Sequence, residues 1–466
     1  MYRWMILLLW WCCLPLTGRA EAQGAHGMYS HAVPLRGMIS PETGEAPVAY
    51  LWLPDGNAAV RAVIVSQQNM TEEALFRMTS FQREMRQMGV AMVWVAPAFS
   101  KDWDPASDCQ RLFDGMMADL AAAAGHPELR RCPVIPLGHS AHATFPWNFA
   151  AWNNDRTLCI ISLHGDAPRT NLTGYGGPNV EWGRQRNIDG IPGLMIEGEY
   201  EWWEARVRPA LAFRMMYPES CISFLCDAGQ GHFDLSEPTA AYIARFIRKS
   251  MEQRLQADGT LRKVNPADGW LCPRFVPDLP QTDGPTADSP LLTFRPVPSS
   301  VCAPAPYRDY QGDRHDAFWY FDREMAEMTA LRYAGTRGKK RQYVGIRQAG
   351  KLIPYDEKVQ GGMQAAFLPE KDGITFRLTP VYTDSTHAAP ALRHGTGRLH
   401  IEVICGPVEK LNDTTFRVRR YEAGWNNPRR SFTIWLVAMA DADAEYKGAV
   451  QPLRIQLPQQ IKALFP

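Results

Sequence analysis

Val134-Ile135-Pro136-Leu137-Gly138-His139-Ser140-Ala141-His142 joins a short apolar run to a glycine, a serine and the start of a helical pattern. A buried strand that turns sharply into a helix is the reading that fits it. The flanking sequence repeats this unit. Upstream, Ala62–Val65 and Val90–Ala96 read as strands. They are separated by a helix opening near Asn69 and Glu72, carrying Leu75, Met78, Met85 and Met88, and closing at Gly89. Leu112, Met116 and Leu120 mark a second helix ending at Gly125. Downstream come a helix over 141–153 and strands at Leu158–Leu163, Leu194–Ile196 and Ile222–Leu225. A closing helix runs from Ser236 to about Leu255. Strands alternating with crossover helices predict a mostly parallel sheet flanked by helices.

The remainder of the chain has a different texture. Ten of the 36 prolines lie between Pro266 and Pro306, which predicts an extended connector with a short helix near Asp316–Met328. Beyond it, Tyr343–Arg347, Ile374–Leu378, Leu399–Ile404, Thr415–Val418 and Phe432–Ala438 read as strands between turn signals. That pattern predicts an all-β sandwich. At the other end, Arg3, an apolar run from Trp4 to Leu16 and Ala20-Glu21-Ala22 have the layout of a signal peptide cleaved after Ala22. The expected division is therefore a leader over 1–22, an α/β domain over 23–256, a connector over 257–328 and a β-sandwich over 329–466. A secreted or periplasmic location follows, with no transmembrane span in the mature chain.

Composition narrows the function classes. The chain has 466 residues, 45% of them hydrophobic, and a formal charge of +1; removing Arg3, Arg19 and Glu21 with the leader makes the charge zero. No global field attracts nucleic acid. Export permits disulfides, and Cys272 with Cys302, or Cys109 with Cys132, are candidate pairs. No C-x-x-C or H-E-x-x-H occurs in the sequence, so no metal is expected.

The segment around Ser140 resembles the nucleophile elbow of the α/β-hydrolase family, whose G-x-S-x-G serine sits on a strained strand-to-helix turn. Here His142 stands in the place of the second glycine and crowds that turn. The resemblance covers about residues 45–255 and implies a Ser, acid, His order. Asp227-Ala228-Gly229-Gln230-Gly231-His232-Phe233-Asp234 follows the last strand as the family's histidine loop does, which makes His232 the base. In Met195-Ile196-Glu197-Gly198-Glu199-Tyr200-Glu201 the acid falls on Glu201, with Glu197, Glu199 and Asp166 as competitors.

The resemblance also implies an oxyanion site, assigned to the backbone N–H groups of Gln68 and Ala141. Trp182, Arg184 and Arg186 in the insertion between Gly165 and Ile191, together with Tyr175 there and Trp202-Trp203 after the acid, are the expected substrate contacts. Aromatic faces beside arginines suit a sugar or uronate. Trp147 and Trp152 are assigned to the core. The activity implied is that of a serine esterase without cofactor, acting on plant polysaccharide: a pectin methyl ester first, acetyl or feruloyl esters next. An exported peptidase of the same fold and a catalytically dead carbohydrate-binding protein are the competing readings.

Overall fold

The computed structural model describes residues 27–54, 59–170, 179–202, 204–277, 302–421, 424–427 and 430–465. The leader over 1–22, the proposed contacts Tyr175 and Trp203, and the centre of the proline-rich stretch lie outside the described residues. The first half builds one sheet. Its elements in chain order are β1 (His31–Pro34), β2 (Val48–Trp52), β3 (Ala62–Gln67), α1 (Glu72–Arg77), α2 (Thr79–Met88), β4 (Val90–Ala96) and α3 (Cys109–Ala124). Then follow β5 (Val134–His139), α4 (Phe145–Trp152), β6 (Ile160–Leu163), β7 (Pro192–Gly198), α5 (Glu204–Met216), β8 (Cys221–Asp227) and α6 (Glu237–Arg254).

The strand order is β1-β2-β4-β3-β5-β6-β7-β8. β1 and β2 are antiparallel and the strands from β4 to β8 are parallel. With helices on both faces, this is the α/β-hydrolase fold. The central strands β3, β4, β5, β6, β7 and β8 are buried along their whole length, which is why their sequences are continuous apolar runs without alternation. The chain crosses from β4 over β3 to β5, so the loops leaving β3 and β5 diverge at the carboxyl edge. A crevice opens there, where open α/β sheets place their ligands.

The turn after β5 differs from the expected continuous helix over 141–153. Ser140–His142 form a short 3-10 turn, and α4 begins only at Phe145. Ser140 has φ 52°, a left-handed conformation that costs a non-glycine residue energy and is retained where the surroundings fix it. Two glycines make the turn possible. A Cβ on Gly138 would lie 2.1 Å from the His142 carbonyl oxygen, and one on Gly165, after β6, would lie 1.8 Å from Cβ of Ala143. Room for the turn therefore comes from Gly138 beneath the His142 carbonyl and from Gly165, on the neighbouring strand end, beside Ala143.

The expected connector is integrated into the fold at both of its described ends. Trp270–Pro273, Ala305–Pro306 and Ala317–Tyr320 form a three-stranded sheet. Phe318 stacks on Phe224 of β8 at 4.9 Å, and the Tyr320 hydroxyl donates to the Phe224 carbonyl at 2.5 Å. Burial of three large aromatic side chains overrides the loop composition. The helix predicted at Asp316–Met328 lies later, at Arg323–Ala334.

Beyond it the sheets are short. One joins Gln364–Ala365, Ala449–Gln456, Thr433–Ala440 and Leu399–Cys405, and two others have three strands each. Ala449–Gln456 carries Pro452, a residue that weakens any strand reading from sequence. The eight cysteines from Cys109 to Cys405 are free thiols, so neither expected disulfide forms. Burial pushes the Cys109 thiol up to about 11 and those of Cys132 and Cys272 up to about 12. Among the described residues no helix is long and apolar enough to cross a membrane.

The two halves share one hydrophobic core, running from Tyr29 and Ile64 to Leu453 and Ile461. Polar contacts join them close to the carboxyl edge of the sheet. The buried Lys447 ammonium pairs with the buried Glu199 carboxylate, the Tyr200 hydroxyl donates to the Gly448 carbonyl at 2.6 Å, and Gln68 Nε2 donates to the Tyr421 hydroxyl at 2.9 Å. Replacing one member of a buried ion pair strands the other without compensation. Lys447→Met is expected to cost about 3 kcal/mol in urea unfolding followed by tryptophan fluorescence, and the double change Lys447→Met with Glu199→Gln to recover part of the loss.

Candidate active site

Ser140, at the tip of the turn, reaches across the crevice to the loop after β8. Its Oγ lies 2.7 Å from His232 Nε2, and with the imidazole neutral and Nδ1 protonated the hydroxyl is the donor. His232 Nδ1 then donates to Glu201 Oε2. The three side chains expected from sequence stand in one hydrogen-bonded line. Ser140 is 8% exposed and the His232 side chain 20% exposed, which leaves the line accessible at its serine end.

Each member is held from a different strand end. His139, the last residue of β5, sends Nε2–H to the His232 carbonyl at 2.8 Å, tying the elbow to the histidine loop. Gly231 N–H donates to Asp234 Oδ1 at 2.8 Å within that loop. Glu201 ends a 3-10 turn after β7 and accepts the Gly198 N–H at 2.8 Å on Oε1 and Arg206 Nη1 at 3.2 Å on Oε2. A further partner occupies Oε1: His164 Nδ1, from the end of β6. Burial acts to raise the Glu201 carboxyl, but His164 and then His232 overcome it and hold the group well below the usual range. The His232 imidazole is lowered, chiefly by burial, with Glu201 opposing, which favours the neutral base.

The competitors for the acid have other partners. Glu199 holds Lys447 and accepts the Gly229 N–H at 3.0 Å. Glu197 and Asp166 both approach Arg206, at 3.7 and 3.8 Å. His142 is buried, and burial lowers its imidazole to about 4.

Other expectations need correction. The Gln68 N–H donates to the Val95 carbonyl at 2.8 Å, because pairing of β3 with β4 extends one residue further, so it is not available to an oxyanion. Ala141 lies in the first turn after Ser140, where N–H groups have no intrahelical acceptor. Trp182 and Trp202 are each 1% exposed. The first donates Nε1–H to Asn148 at 2.7 Å, and the second packs on Phe224 and Phe275. Neither presents a face to a ligand. Arg184 is exposed. The Arg186 guanidinium lies 4.4 Å from the Trp152 ring at the carboxyl end of α4, and Ser140 precedes the other end. The 8 residues of α4 span about 12 Å at 1.5 Å per residue, which sets the guanidinium at the end of the helix remote from the serine.

Sequence reasoning missed three contributors. Glu72, fully buried, accepts the His139 N–H at 3.0 Å and the Met70 N–H at 2.7 Å, and Asn69 Nδ2 donates to the His139 carbonyl at 2.6 Å. Together they clamp the elbow to the loop after β3. Burial raises the Glu72 carboxyl to about 7 in spite of these donors. The third is His164, whose one sequence signal is its position directly after a buried strand, as Ser140 follows β5. From the second half, Trp435 stacks on Phe233, next to His232, at 5.2 Å. A cavity of about 960 Å³ opens between α1, the start of α6 and Leu399–Cys405, but neither Ser140 nor His232 lines it.

Donor atoms of His164, Glu201 and His232 lie within 4.8 Å of one another, a spacing a cation accepts. Here both imidazole nitrogens face the carboxylate oxygens, and a guanidinium also contacts that carboxylate. The donor set fits proton positioning.

No family model matches the chain. No curated protein matches it either. Among solved structures it is similar to the fluorophosphonate-binding serine hydrolase F of Staphylococcus aureus, at TM-score 0.34 and 13% identity over 47% of this chain and 97% of that one. Est1E from Butyrivibrio proteoclasticus gives 0.30 and 15% over 48% and 100%, and the Pyrobaculum calidifontis esterase 0.32 and 13% over 48% and 85%. These similarities are slight, and the chemistry rests on the geometry above.

Asp234 provides a pH test of the histidine loop. Burial pushes its carboxyl up to about 7, with His164 opposing and Asp227 adding. An acid whose folded pKa lies above its unfolded one gives stability that is complete below the unfolded value and lost as pH rises through the folded value. Asp234→Asn is therefore expected to be neutral at about pH 4 and to raise unfolding stability by on the order of 2 kcal/mol at about pH 8, measured by urea titration at both.

Proposed function

We propose that the protein is an exported serine hydrolase that cleaves carboxylic esters. The observation that carries this reading is the line from Ser140 Oγ through His232 to Glu201. His232 Nε2 takes the hydroxyl proton as Oγ attacks the ester carbonyl. Glu201 holds the Nδ1–H tautomer and stabilises the imidazolium that forms. The Ala141 N–H meets the developing oxyanion. His232 returns its proton to the departing alcohol, and water, activated by the same nitrogen, frees the acid and regenerates Ser140.

The substrate proposed is an ester on plant polysaccharide, pectin methyl ester first and acetyl or feruloyl esters next. Its support is the leader-like segment over 1–22 and the β-rich second half attached to the catalytic fold. Among the described residues expected to stack on a ring or pair with a carboxylate, the exposed Arg184 still supports it. The aligned triad, formed with His142 in the place of the second glycine, favours turnover over a dead binding protein.

A screen of methylated pectin, acetylated xylan and aryl esters for released methanol or acid tests both levels. Ser140→Ala is expected to lower turnover by at least about 10⁴-fold. Full turnover in that variant would overturn the mechanism. Aryl ester cleavage without methanol from pectin would leave the hydrolase and discard pectin.

A further inference from the structure

The triad carboxylate serves two imidazoles. His164 Nδ1 meets Glu201 Oε1 while His232 Nδ1 meets Oε2, and the two rings stand 5.9 Å apart at 74°. His164 is 2% exposed. It has φ 51°, a left-handed conformation that the tertiary structure must impose on a non-glycine residue. Its backbone N–H is fixed to the Ile196 carbonyl at 2.7 Å.

Asp166, Glu197 and Glu201 all lie within 4 Å of Arg206, and all four residues are buried. The three carboxyl groups share this guanidinium, in surroundings where charge is costly. Asp227 at the end of β8 and Asp234 in the loop after it act on His164, and the His139 ring is 5.2 Å away on β5. His232 cannot supply a positive charge while its Nε2 accepts the Ser140 hydroxyl. His139 cannot either: burial, with His232 and His164 adding, lowers it well below the ordinary histidine value.

We propose that His164 is held as an imidazolium on Glu201 and thereby keeps His232 in its neutral, proton-accepting form, an inference that rests on the serine-hydrolase reading. The titration directions agree. Burial acts to lower His164, but Glu201 reverses this with help from Asp234 and Asp227, and the net shift is upward. His232 faces the same carboxylate and is lowered, by burial first, with Arg206 and His164 adding to it. His164 is a positioning residue, since its ring acts on the serine only through Glu201 and His232.

The test is the rate of Ser140 labelling by a fluorophosphonate probe as a function of pH. Without the charge at 164, the full field of Glu201 falls on His232 and raises its pKa. His164→Gln, which keeps a hydrogen-bond donor without the charge, is expected to move the acid limb of labelling to higher pH by on the order of one unit. An acid limb that superimposes on that of the wild type, at any plateau rate, would overturn the proposal. NMR titration of the wild-type histidines provides a second measurement that does not depend on the variant folding. His164 is expected to be doubly protonated at about pH 7 with His232 singly protonated, and a neutral His164 there would sink the idea. Absence of labelling at Ser140 in the wild type, with an imidazolium at His164, would instead count against the hydrolase reading.

Discussion

Everything at the crevice depends on one buried carboxylate. Glu201 accepts from the Gly198 N–H, from Arg206 and from two imidazoles, and these donors begin on β6, β7, α5 and the loop after β8. A charge taken out of water is tolerated only when its lone pairs are filled. The positions of those four elements are therefore coupled through a single side chain. The Ser140 hydroxyl is aimed only because His232 is, and His232 is aimed by Glu201.

The serine side is fixed by sterics. Ser140 is left-handed, Gly138 lets the His142 carbonyl pass, and Gly165 lets Ala143 press against the end of β6. Glu72 and Asn69 then bind the elbow backbone from the loop after β3. Strain is concentrated at the nucleophile and held by close packing and buried hydrogen bonds on every side, the arrangement expected where backbone geometry must be exact.

The β-rich half is part of this support. Lys447 meets Glu199, two residues before the acid, Tyr421 accepts from Gln68, and Trp435 stacks beside the histidine loop. These contacts bear on the three loops that form the site. The strand that follows the proline-rich stretch contributes as well, because Trp319 and Tyr320 are buried against β8.

What the sequence determined by itself is local in character. Continuous apolar runs specify β3 to β8, because a strand covered on both faces needs no alternation. Gly138 before Ser140 and the glycines before His232 mark turns that other residues enter at a cost. Ser140, His232 and Glu201 were legible for that reason: each follows a strand whose end the pattern locates. The tertiary structure decided the rest. Extension of β3 by one pairing removed Gln68 from the oxyanion site, core packing hid Trp182 and Trp202, and the insertion after β6 set Arg186 on Trp152 at the far end of α4. It also brought His164 to Glu201 across 37 residues of chain. Exposure, backbone hydrogen bonding and the balance of buried charge depend on neighbours distant in sequence, so no local pattern could contain them.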